Sequence, residues 1–203
     1  MSFLITGIHT GIGKTLCSAI ICQAKGFDYW KPVQAGSLED SDTNFIQKYV
    51  TNPAVKIHPE AYRLKMATSP HFAAANENIE IEKDNITLPE TDNNIIVETA
   101  GGLMTPFARN FFNIDLAAHL NLPVILVSNN YLGSINHTLL SAEALQKRNI
   151  PVKGIVFSGE KVEATRSYIL EHTQLPHLFT IPFLQEMTKE NIAKVAAVIN
   201  TNF

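Results

Sequence analysis

The sequence predicts an α/β fold: a single domain over residues 1–203 built on an open, mostly parallel sheet with helices on both faces. Three observations lead there. Short apolar runs recur between turn residues, they read as continuous rather than alternating, and helical patterns separate them. The strand-length runs are Phe3 to Thr6, Phe27 to Trp30, Ile95 to Val97, Val124 to Val127 and Val152 to Phe157, several of them rich in β-branched residues. Helical patterns cover Lys14 to Lys25, Ser41 to Tyr49, Ile114 to Leu120, Ile135 to Arg148, Val162 to His172 and Thr188 to Ile199. Asn76 to Asn93 mixes Asn, Glu, Asp and Pro without periodicity and reads as a surface crossover with one short helix.

Charge and composition narrow the function classes. With 16 Lys and Arg against 19 Asp and Glu the net charge is −3, which argues against a nucleic-acid-coating protein. At 45% hydrophobic and 17% charged, the chain can fill a core and does not read as disordered. No apolar run approaches the roughly 18 residues of a membrane helix, and Met1 to Thr6 is strand-like without a basic leader, so the expectation is a cytoplasmic protein with no membrane contact. Cys17 and Cys22 lie roughly 140° apart around a helix and read as reduced, packed thiols. The histidines show no metal-ligand spacing with them, and no Gly-x-Ser-x-Gly elbow is present.

The strongest signal follows the first strand. Gly7-Ile8-His9-Thr10-Gly11-Ile12-Gly13-Lys14-Thr15 runs directly into a helical pattern. Glycines let backbone N–H groups turn inward around phosphate oxygens, Lys14 brings a flexible cation to the β and γ phosphates, and the Thr15 hydroxyl can reach magnesium. The common loop has four residues between its first glycine and Gly-Lys-Thr, whereas five separate Gly7 from Gly13, a variant of the P-loop NTPase type.

In an open parallel sheet, ligands sit beyond the carboxyl ends of the strands. Lys31 stands there, ahead of Pro32-Val33-Gln34-Ala35-Gly36, and reads either as a solvated lysine or as a catalytic one. Glu98 closes Ile95-Ile96-Val97 ahead of Thr99-Ala100-Gly101-Gly102; it can organise magnesium or merely cap a turn. The glycine pair can present N–H groups to a further anion. Asp42 follows Ser41 at a helix start, where capping alone explains either residue.

Taken together, the loop, Lys31-Pro32-Val33, Ser41-Asp42, Thr68-Ser69-Pro70-His71, Glu98-x-Ala100-Gly101-Gly102 and Gly133-Ser134-Ile135-Asn136-His137 resemble the dethiobiotin synthetases, in that family's order and over most of the chain. The resemblance implies a homodimeric, Mg2+-dependent enzyme of biotin synthesis that closes a ureido ring from 7,8-diaminononanoate, carbon dioxide and ATP. By the same resemblance Lys14, Lys31 and Thr10 act in catalysis; Thr15, Asp42 and Glu98 hold magnesium; and Lys31, Ala35 and Asn136 meet the substrate, Asn136 from a loop and across the dimer interface. ATP would be held by the amides of Gly11, Ile12, Gly13, Lys14, Thr15 and Leu16, by Asp42 and Glu98, and by the Thr99, Ala100 and Gly101 turn. Ser158, Gly159, Pro182, Phe183 and Leu184 would line its base.

Four positions depart from the family pattern. His9 replaces the usual Asp, Thr99 a Gly, Ala35 a Ser or Thr, and Ser158 an Asn that reads adenine, so weaker discrimination among nucleoside triphosphates is expected. Rival readings are a partitioning-type ATPase switch, which typically carries an early second lysine where Ile8 and His9 stand here, another ligase of the same fold such as a cobyrinate amidating enzyme, and a phosphate binder without catalysis.

Overall fold

The computed structural model describes residues 1–199, so 200–203 of the expected domain lie outside the described residues. In chain order, β1 (Phe3–Gly7) feeds α1 (Lys14–Lys25), followed by β2 (Asp28–Trp30), β3 (Val33–Ala35), α2 (Asp42–Tyr49), β4 (Ile57–His58), β5 (Tyr62–Leu64) and α3 (Pro70–Asn76). Then come β6 (Ile95–Gly102), β7 (Pro106–Ala108), β8 (Phe111–Phe112), α4 (Asn113–His119), β9 (Val124–Asn129), α5 (Ser134–Lys147), β10 (Val152–Ser158), α6 (Glu163–Thr173), β11 (His177–Ile181) and α7 (Lys189–Ile199). Among the described residues, seven strands form a parallel sheet in the order β11-β10-β9-β1-β6-β2-β4.

This is the architecture the apolar runs predict. β1 is buried along its whole length because it lies at the sheet's centre with a helical layer on each face. Phe3, Ile5 and Ile96 pack with Ile20 and Ile21 of α1, Ile46 of α2 and Ile192 of α7. Leu4, Ile95 and Val97 face the other way, toward Ile114 and Leu116 of α4 and Leu145 of α5. Each such fully buried branched side chain contributes about 1.5–3 kcal/mol by leaving water.

Several elements escape sequence reading. β4 and β8 have two residues each, and β3, β5 and β7 have three, too short to show a period. α3 starts on Pro70 inside the Thr68-Ser69-Pro70-His71 block, and β11 is an edge strand whose pattern begins on exposed His177. Two placements need correction. Glu98 does not close its strand, since β6 runs on to Gly102, with a bulge against β1 where Ile5 pairs with Glu98 and Gly7 with Gly102. Asn136 does not lie on a loop; it sits in the first turn of α5, which begins at Ser134 after Gly133. The Asn76 to Asn93 crossover holds one short 3-10 turn, Lys83–Asn85, and is pinned by buried Ile81 and Ile86, with the His119 Nε2 2.9 Å from the Ile86 carbonyl.

A buried carboxylate ties the β2–β4 side of the sheet together. Asp28 Oδ1 accepts from the Lys56 amide and Asn93 Nδ2, each at 3.0 Å, while Oδ2 accepts from Thr91 Oγ1 at 2.7 Å and lies 3.0 Å from His58 Nε2. Burial alone would raise its pKa, but these bonds outweigh it and hold the carboxyl below its usual value. A depressed carboxylate stabilises the fold above its unfolded pKa and loses that contribution as pH falls through the folded one. Asp28→Ala is expected to lower stability by about 3 kcal/mol in urea unfolding near neutral pH, and the difference from wild type should shrink on acidification. Equal midpoints at neutral pH would contradict this.

Candidate active site

The phosphate loop is shaped by one close approach. Gly13 has φ 95°, and a Cβ there would fall 2.5 Å from Ser158 Oγ, so only glycine lets the loop turn into α1 beside β10. No side chain caps α1, which leaves its first N–H groups for an anion. Ile12 is buried with its side chain against Gly7, and half-buried Leu16 packs on the core, so both can offer a ligand only backbone amides. Lys14 folds back over the loop and donates to the His9 carbonyl at 3.1 Å. Burial, aided by the Lys31 charge, lowers its pKa to about 8 against the pull of Glu98 and Asp42.

Behind the loop lies a cluster of buried charges. Glu98 pairs in register with Ile5 and so points to the α1 face of the sheet. Its Oε2 accepts from Ser18 Oγ at 2.7 Å and Tyr29 OH at 3.1 Å, and its Oε1 accepts from Thr15 Oγ1 at 2.8 Å. Asp42 Oδ1 accepts from the same Thr15 hydroxyl at 2.5 Å, and its Oδ2 lies 2.6 Å from Lys31 Nζ, which is also 3.8 Å from Glu98 Oε1. Ser41 caps α2 by accepting from the Asn44 amide at 3.1 Å, so capping does not account for Asp42.

The electrostatics follow from this packing. Burial pulls the Lys31 pKa down, but Glu98 and Asp42 overcome it and keep the ammonium charged above its usual range. For Asp42, burial is outweighed by the Lys31 charge and by hydrogen bonds from Lys31 and Thr15, so its pKa is lowered. For Glu98, burial and the Asp42 charge win over Lys31 and Ser18, so its pKa is raised. One Thr15 hydroxyl proton cannot serve two carboxylate oxygens at once, so this corner calls for a further positive charge. Three hard oxygens from three elements fit Mg2+, which takes one or two carboxylates and fills its remaining positions with water and phosphate. Among the described residues no group of three or more His, Cys, Asp or Glu is placed to hold a metal, unlike a zinc site.

Cavities flank the cluster. One of about 450 Å³ is lined by Thr10, Lys31, Ala35, Asp42, Ala100 and Gly101. A neighbour of about 500 Å³ shares Thr10 and brings in His9, Met104, His137 and Leu140. A third, of about 870 Å³, takes Gly159, Pro182 and Phe183 together with Arg166 and His177; Leu184 does not line it. Thr99 is fully buried on the opposite face, where its hydroxyl donates to Thr6 Oγ1 at 3.1 Å, so that side chain cannot meet a nucleotide on the α1 face. Asn136 is exposed on α5.

Several residues that build the site went unread in the sequence. Ser18 lies one helical turn beyond Lys14, a spacing that could have flagged it, whereas Tyr29 inside an apolar run gave no signal. Asn113 donates from Nδ2 to the Ala100 and Gly102 carbonyls at 2.7 and 2.6 Å and so fixes the glycine turn. Gln34 donates to the Gly36 carbonyl at 2.8 Å and, among the described residues, leaves its buried Oε1 without a partner.

A family model described as an AAA domain matches residues 1–191. A relative from Cytophaga hutchinsonii named ATP-dependent dethiobiotin synthetase is 48% identical over 202 residues, covering 99% of this chain and 98% of the relative. The chain belongs to the dethiobiotin synthetase family. A dethiobiotin synthetase of Chlamydia pneumoniae is 41% identical, over 94% of this chain and 85% of its own. Among solved structures, a ParA family ATPase from Chlorobium tepidum superposes with a TM-score of 0.60 at 11% identity, covering 97% of this chain and 98% of that one. The MinC:MinD cell division complex of Aquifex aeolicus gives 0.57 at 14% identity, covering 100% and 96%. At such identities the two structures share the fold alone, so the partitioning ATPases are relatives in architecture. Activity follows the sequence relatives, as ATP-dependent dethiobiotin synthesis. Among the described residues no helix is long and apolar enough to cross a membrane.

The depressed pKa of Lys14 gives the site a pH signature. Phosphate bound at this loop would favour the ammonium, so nucleotide binding above about pH 8 should take up a proton, and affinity should fall by up to about tenfold per pH unit there. Calorimetry in two buffers of different ionisation enthalpy checks it. Absence of proton uptake at about pH 9 would contradict the assignment.

Proposed function

We propose that the cavity beside Lys31 is where a diamine-derived carbamate meets the γ-phosphate of ATP. The first amine of 7,8-diaminononanoate captures carbon dioxide as a carbamate and releases a proton. A carbamate oxygen then attacks the γ-phosphorus while the bond to the bridging β–γ oxygen breaks, and ADP leaves. The second amine attacks the carbonyl carbon of the resulting anhydride, the bond to the phosphate-bearing oxygen breaks, and the ureido ring closes as phosphate departs with a proton released.

Each of these steps moves negative charge, onto the carbamate, the transferring phosphoryl and the departing phosphate in turn, and preorganised cations are what lower those barriers. Lys31 supports this reading most directly, as a buried ammonium held charged by Asp42 and Glu98 at the wall of a cavity. Lys14 reaches the phosphates from the loop, the first α1 amides cradle them, and Thr10 stands between the two cavities to orient the carbamate. Mg2+ would be held by Thr15, Asp42 and Glu98 and would neutralise part of the phosphate charge.

Homodimer formation belongs to the same proposal. Leu140 and Met104 are exposed at the cavity that holds His137, and Leu132 is exposed just before α5, the kind of apolar surface that a second copy covers. Asn136, on the same helix as Leu140, would then face a partner's substrate. A cytoplasmic location fits an enzyme that consumes ATP.

Phosphate release from Mg-ATP, with bicarbonate and with or without 7,8-diaminononanoate, tests the proposal when product mass is read in parallel. Diamine-dependent release with dethiobiotin formed is expected, from a species of twice the chain mass. Lys31→Ala is expected to lower kcat by about a thousandfold or more while ATP affinity stays within about tenfold. Loss of folding together with activity would identify Lys31 as structural instead.

A further inference from the structure

Ser158 and Gly159 end β10 beside the phosphate loop, where a nucleobase must leave the sheet edge. Ser158 is poorly placed to read that base. It is buried, and its hydroxyl is turned onto Gly13 of the loop so closely that a Cβ there would be 2.5 Å away.

The neighbouring strand supplies a different group. In the β9–β10 register Ser158 pairs with Asn129 and Phe157 with Ser128. Register partners share a face, and Ser128 points away, bonded to Thr138 of α5 at 2.9 Å. Asn129 therefore points with Ser158 to the loop side of the sheet. Its Oδ1 lies 3.0 Å from where a Gly159 Cβ would stand, so the amide rests against the open α-carbon of the residue that begins the base-side cavity. Among the described residues nothing hydrogen-bonds to this carboxamide, although it carries two donors and an acceptor.

We propose that the Asn129 carboxamide reads the nucleobase and selects adenine. An amide offers a donor and an acceptor side by side, which pairs in bidentate fashion with the amino group and ring nitrogen of adenine, whereas the corresponding edge of guanine presents two acceptors. Glycine at 159 matters because any side chain there would displace the amide. The discriminating group thus comes from β9, and the weak nucleotide discrimination expected from Ser158 gives way to a preference for ATP. This inference rests on the nucleotide site assigned above.

Displacement of a fluorescent, ribose-labelled ATP analogue by ATP and GTP tests it, alongside the kcat/KM for dethiobiotin formation with each. Wild type is expected to prefer ATP by about tenfold or more, and Asn129→Ala to reduce that ratio about tenfold, mostly through weaker ATP. Asn129→Asp keeps the shape but only accepts; it should lose ATP affinity, because the ring nitrogen of adenine then has no donor, and gain none for GTP, whose two acceptors the carboxylate repels. Ser158→Ala should leave the ATP to GTP ratio where it was. An unchanged ratio in Asn129→Ala, with melting temperature intact, overturns the proposal, as does a ratio that collapses in Ser158→Ala instead. A wild type that binds ATP and GTP equally overturns it while leaving the nucleotide site standing; a wild type that binds neither removes both.

Discussion

A buried carboxylate and a half-buried one, set side by side behind a phosphate loop, are the constraint on which this site depends. Glu98 in mid-strand and Asp42 at the start of α2 share a single Thr15 hydroxyl, and Glu98 is cut off from water. Such charges persist in an interior only when cations and donors meet them. Lys31 answers from the end of β2, Ser18 and Tyr29 from the elements packed on the same face, and Lys14 from the loop. The parallel sheet is what lets residues so far apart in sequence converge at one edge.

That arrangement also explains a division of labour between the two lysines. Lys14 has a backbone partner and a pKa that burial lowers to about 8, so only above that pH would it gain a proton as phosphate arrives. Lys31 is locked in its charged state before any ligand binds and faces a cavity rather than the loop. In the proposed reaction one cation responds to the nucleotide, and the other waits for charge that develops during transfer.

Much of this was legible in the sequence because its signals are local. The loop from Gly7 to Thr15 joins strand to helix within a few residues, and α1 occupies the residues its pattern predicts. Continuous apolar runs announced the parallel sheet for the same reason: burial on both faces leaves no alternation to hide. What stayed hidden is what depends on register. Glu98 and Thr99 are neighbours in the chain, yet the pleat sends one to the active site and the other to Thr6. Asn129 became visible only through its pairing with Ser158 across two strands, and Asn113 only through the carbonyls of a turn that lies before it in the chain. Two- and three-residue strands such as β4 and β7 exist because neighbours pair with them, and carry no period of their own.

The central claim is that the carbamate itself, and not water, receives the phosphoryl group beside Lys31. Tracing oxygen tests this most directly. Carbon dioxide labelled with heavy oxygen, delivered in ordinary water faster than it exchanges, should leave one labelled atom in the phosphate released with dethiobiotin, since the carbamate oxygen departs with phosphorus when the ring closes. Released phosphate without label, alongside labelled dethiobiotin, would show that ATP is cleaved by another route and that the role given to Lys31 is wrong.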